Sequence, residues 1–91
     1  MIPMKRLRRF WFTFERIDSL TALNLGCGVT AYDYDDAITL LQERVFTDET
    51  IPKITGCIED IDVSTLDHSH VLPNIGIVIA RGIWFPQGYE Q

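Results

Sequence analysis

A single stretch of this 91-residue chain repeats apolar residues at helical spacing, and that scarcity constrains the rest. Tyr34, Ala37, Ile38, Leu41 and Val45 form one apolar stripe, with Asp36, Thr39, Gln42 and Glu43 mostly turned away from it. Asp33 offers its side-chain oxygen to the free N–H groups of the helix start. Asp35 and Asp36 place negative charge at the positive end of the helix dipole. The helix is predicted to end near Phe46, because the polar run 47–50 leads into Pro52. One helix covers one face of one sheet, so any further apolar strand surface needs another shelter.

The remaining apolar runs read as strands. Phe10, Phe12 and Phe14 alternate onto one face, predicted to meet the helix stripe, while Trp11 falls on the other. Val29, Thr30 and Tyr32 favour a pleated surface, so the second strand precedes the helix directly. Gly26 and Gly28 share one of its faces, where a missing Cβ admits close approach or a bulge. Pro52 opens a third strand, Lys53 to Ile61, with room for a bulge at Gly56. Residues 62–76 form a long polar connection. Ile75 to Phe85 is the last strand. Its unbroken apolar run to Ala80 predicts a central position covered on both faces, and Gly82 permits a bulge. The order strand, strand, helix, strand, strand predicts an α+β domain: a four-stranded, mainly antiparallel sheet with one helix packed on one face. Residues 1–9 are expected to be a basic flexible leader, 10–86 the domain and 87–91 a frayed tail.

Leu23-Asn24-Leu25-Gly26-Cys27-Gly28 is similar to the glycine-rich first motif of S-adenosylmethionine-dependent methyltransferases, where a strand-to-helix turn brings backbone close to the cofactor. The likeness spans six residues. Thr30 stands where a further glycine is usual, and Asn24 where an acidic residue is usual. That family also needs a doubly wound sheet with several crossover helices, which one helix does not supply. No activity is carried over from the likeness, and no cofactor is expected.

Charge and cysteine content narrow the setting. The net charge is −5, yet Lys5, Arg6, Arg8, Arg9 and Arg16 face only Glu15 in the first sixteen residues. The remainder sets Arg44, Lys53 and Arg81 against twelve acidic residues. Such a body repels nucleic acid and anionic membrane and suits a basic protein partner. Cys27 and Cys57 lie in apolar runs and make no disulfide framework, which points to free thiols in a reducing compartment. No apolar stretch approaches membrane-spanning length. Arg8-Arg9-Phe10 faintly resembles a twin-arginine signal, but Glu15 and Arg16 interrupt the apolar run such a signal needs. The cytoplasm is the expected location.

Two functional hypotheses follow. In the first, the chain is a non-enzymatic interaction module, an inhibitor, immunity-type or regulatory protein. Trp11, Val78, Ala80 and Trp84 would form an apolar sheet face that one helix leaves uncovered, to be met by a partner or a second copy, or else covered by the 62–76 connection folding over it. Glu59, Asp60, Asp62 and Asp67 would steer a basic partner towards it. In the second, Cys27, Cys57, Asp67, His68 and His70 converge as a ligand or metal site with some catalytic capacity. Those residue types suit zinc, but no close cysteine pair supports it, so no metal is assigned. A calcium loop at Asp60-x-Asp62-x-Ser64 fails because Thr65 stands where glycine is required. The basic-aromatic start, Lys5 to Phe12, has the composition of a single-strand binder, but the acidic body opposes that use.

Overall fold

The structure, a computed structural model, describes residues 6–17 and 21–89. Residues 1–5 of the expected leader, 18–20 and the last two residues of the tail lie outside the described residues. Four strands form one sheet: β1 (Arg8–Phe14), β2 (Cys27–Ala31), β3 (Ile54–Glu59) and β4 (Gly82–Phe85). Their order is β3-β1-β2-β4 and every neighbouring pair is antiparallel. Helix α1 (Tyr34–Leu40) runs on into a π-helical turn over Leu41–Val45. The predicted α+β class and ββαββ order are both present.

The helix starts where its sequence says it should. Asp33 Oδ1 accepts from the Asp36 N–H at 2.8 Å, and the Asp36 carboxylate accepts from the Tyr32 N–H at 3.0 Å. The first bond satisfies a donor that a helix start leaves free, and the second ties the first helical turn back to the residue that follows β2. At the far end Gln42 Nε2 donates to the carbonyls of Phe46 and Glu49, closing the wide turn.

The helix covers the phenylalanine face. Phe10, Phe12, Cys27, Val29 and Ile83 of the sheet bury against Ala37, Leu40, Leu41 and Phe46. The register explains the sharing of this face, because Cys27 and Cys57 both lie opposite Phe12 while Val29 lies opposite Phe10. Near Gly56 the register shifts, with Gly56 opposite Thr13 but Ile54 opposite Phe14, so Thr55 is the extra residue of the bulge.

The last strand differs from expectation. Ile75 to Arg81 is not strand; β4 spans only Gly82–Phe85 and lies at the sheet edge, not in its centre. Gly82 has φ +148, a region that side chains rarely adopt, so the chain turns there and does not continue as one strand. β1 also begins earlier than expected, and Arg8 and Arg9 belong to the sheet rather than to a leader.

β4 carries a second irregularity that shapes the other face. Gly28 lies opposite Phe85 and Val29 opposite Ile83, leaving Trp84 as an extra residue. A bulge of this kind disturbs the strict alternation of side chains. Trp84 and Phe85 accordingly share the face of Trp11, while Ile83 stays with the helix.

Candidate functional site

The second sheet face is covered from within the chain. Trp11 and Trp84 are 6% and 0% exposed, packed with Phe85 beneath Ile61, Leu66 and Val71, with Val63, Leu72, Ile75 and Val78 at the margin. The ring centroids of Trp11 lie 5.9 Å from Trp84 and 5.6 Å from Phe85. The connection from Ile61 to Val78 is therefore the shelter that the lone helix could not provide. Trp11 and Trp84 do not stand at the surface as interface anchors. Of the four expected interface residues, Val78 is half-buried in this cluster and Ala80 alone is exposed.

The acidic residues of the connection are engaged in its own architecture. Arg8 Nη2 reaches Asp60 at 2.9 Å and Glu59 at 3.5 Å. That pairing holds the Asp60 carboxyl below the usual range and raises Arg8. Asp62 accepts from the Ser64 hydroxyl at 2.7 Å and the Ser64 N–H at 3.0 Å, which lowers its pKa. Asp67 is lowered by the Ser69 N–H, and further by His70 at 3.1 Å. The bonds from the Ser64 and Ser69 N–H groups to Asp62 and Asp67 are turn-forming bonds of the Asx type.

The residues of the alternative ligand site do not meet. Cys27 and Cys57 lie on the helix-covered face, whereas Asp67, His68 and His70 belong to the connection on the opposite face. The sheet stands between them. The two cysteines flank Phe12 on either side, so two strand spacings, about 10 Å, separate their backbones, beyond the roughly 7 Å that a disulfide spans. Burial pushes the Cys27 thiol strongly up; burial and then the charge of Glu59 raise Cys57. His68 Nε2 meets the Ser64 carbonyl at 2.9 Å, away from His70. Among the described residues no group of three potential metal ligands forms. The basic-aromatic start fares similarly: Phe10, Trp11 and Phe12 are all buried, so those rings offer no stacking platform.

A different surface emerges at residues 76–80, which sequence reasoning placed inside a buried strand. Ile77 and Ile79 are 71% and 77% exposed, although Val78 between them points inward. Their alternation was legible; their direction was not, because it follows from three tethers made by distant residues. The Gly76 N–H donates to the Trp84 carbonyl at 2.7 Å. The buried Thr30 hydroxyl donates to the Val78 carbonyl at 2.6 Å. Arg81 pairs with Asp36, with Nε 2.9 Å from Oδ2, and lies over the Tyr32 ring at 6.0 Å. The segment is thus held before, between and after the two isoleucines. Beside it lies a hollow of about 130 Å³ lined by Ile77, Ala80, Arg81, Gly82 and Ile83.

Among the described residues no helix is long and apolar enough to cross a membrane. No family model, curated protein or solved structure matches this chain.

Proposed function

We propose that this chain is a small non-enzymatic interaction module, of inhibitor, immunity or regulatory kind, that works in the cytoplasm and docks on protein through residues 76–80. The carrying observation is the pair Ile77 and Ile79, turned to solvent on a tethered backbone. Leaving an isoleucine exposed forgoes roughly 1.5–3 kcal/mol of burial. Holding it out on an ordered segment lowers the entropy lost on docking. The acidic residues contribute a long-range field rather than contacts, since their carboxylates already serve Arg8 and the turns. Two free thiols suit a reducing compartment.

The test is capture of partner from the native host on the immobilised chain, compared with an Ile77→Asp/Ile79→Asp variant of equal melting temperature. Loss of the captured species with the variant supports the docking surface. Undiminished capture by the variant overturns it.

A further inference from the structure

We infer that residues 62–74 are a hinged lid, latched by Leu66 and Val71, that swings off the tryptophan face while the sheet and helix stay folded. Hydrogen bonds tie the segment at its two ends. At its start the Ile61 N–H donates to the Arg9 carbonyl at 3.2 Å, and Arg9 Nε donates to the Ile61 carbonyl at 3.3 Å. At its end Gln87 Nε2 donates to the Ile75 carbonyl at 3.1 Å, and the Gly76 N–H to the Trp84 carbonyl at 2.7 Å. Between these anchors the described hydrogen bonds stay within the segment, as from Leu66 N–H to Val63 and from Val71 and Leu72 N–H to Asp67. The middle is therefore held down by the burial of Leu66 and Val71, with Val63 and Leu72 beside them.

The two cores are separable. Each strand has a seat on the helix side: Phe10 and Phe12 of β1, Val29 of β2, Ile54 and Cys57 of β3, and Ile83 of β4. No lid residue belongs to that core. Opening bares Trp11, Trp84 and Phe85, which apolar burial opposes. Two gains stand against that cost. The segment regains backbone freedom, and Trp84 Nε1, buried without an acceptor while the lid is shut, meets water. The open form is thus a minor native state, reached without global unfolding. Residues 76–80 lie beyond the second anchor, so the lid moves without disturbing the proposed docking surface.

The experiment is amide exchange of the full chain followed by NMR, with tryptophan emission, on wild type and Leu66→Asp/Val71→Asp. In wild type the Leu66, Val71 and Leu72 amides should exchange at least tenfold faster than those of β1 and β2. The Ile61 and Gly76 amides, at the anchors, should exchange with the sheet. In the double variant the emission should shift to the red and become open to acrylamide, while β1 and β2 amides stay protected. Lid amides no faster than the sheet's overturn the inference, as do anchor amides as fast as the lid's. A double variant whose sheet loses protection shows one core, not two, and overturns it. So does a double variant whose emission stays shielded, since Leu66 and Val71 are then no latch.

Discussion

Trp84 occupies the space that a Cβ on Gly28 would need: a methyl group built there overlaps the six-membered ring of the indole. Trp11 stands in the same relation to Gly26, whose φ of +136 also disfavours a side chain. Gly28 in β2 and Gly26 just before it leave room where two large rings must lie. With the indoles seated low, the connection from Ile61 to Val78 can close over them and make a second core without a second helix.

Gly28→Ala is therefore expected to overpack the second face and destabilise the fold by about 1–3 kcal/mol. In a domain of this size that lowers the melting temperature by roughly 4–8 °C per kcal/mol. The cost should shrink in a Trp84→Phe background, because the smaller ring gives the methyl group room. Trp84 Nε1 is buried and makes no hydrogen bond, so its removal leaves no acceptor orphaned. A double-mutant cycle by thermal or urea unfolding checks the coupling.

The connection should open before the sheet does. The described hydrogen bonds of its middle are internal to it, among them Ser64 to Asp62, Ser69 to Asp67 and Asn74 to His70, while Leu66 and Val71 grip the sheet through apolar contact. Amides of residues 62–74 are expected to exchange with deuterium faster than those of β1 and β2. Leu66→Ala should cost about 2–4 kcal/mol and speed that exchange further.

The helix was legible because its signals are local: the Asp33 cap, the first-turn acids and the apolar stripe all act within a dozen residues. Phe10 and Phe12 were legible for a similar reason, since strand alternation fixes their common face once one side is covered. The connection was readable as long and polar and as one of two covers open to the second face; what decided between them, Leu66 and Val71 meeting Trp11 and Trp84 across the sheet, is not a local signal. Likewise, the run Ile75–Ala80 has the composition of a buried strand. Its exposure comes from the turn at Gly82 and the bonds from Thr30 and Trp84, none of which a local pattern reveals.

Acid should loosen the connection. Asp60, Asp62 and Asp67 have folded pKa values below those of the unfolded chain, through Arg8, Ser64 and Ser69 respectively. Their contribution is fully present above the unfolded aspartate pKa of about 3.9 and disappears as pH falls through the lower folded values. Melting temperature measured from neutral pH down to strong acid should fall in that window. Asp62→Asn should show a shallower fall than wild type.

Thiol chemistry separates the two cysteines. Cys27 is buried and Cys57 half-buried, and both thiols resist ionisation. A thiol reagent is expected to label Cys57 slowly in the native state, and Cys27 only as fast as the protein unfolds. Oxidation of dilute monomer should give no intramolecular disulfide, which mass spectrometry of the intact chain checks.

The reverse face of the sheet is sheltered by the chain's own residues 61–78. The chain has two tryptophans, and both lie on that face. Fluorescence of the protein, diluted until sedimentation shows only monomer, tests this most directly. A blue-shifted emission that acrylamide barely quenches is the result predicted. Emission like that of tryptophan free in water, readily quenched in the monomer, would contradict it.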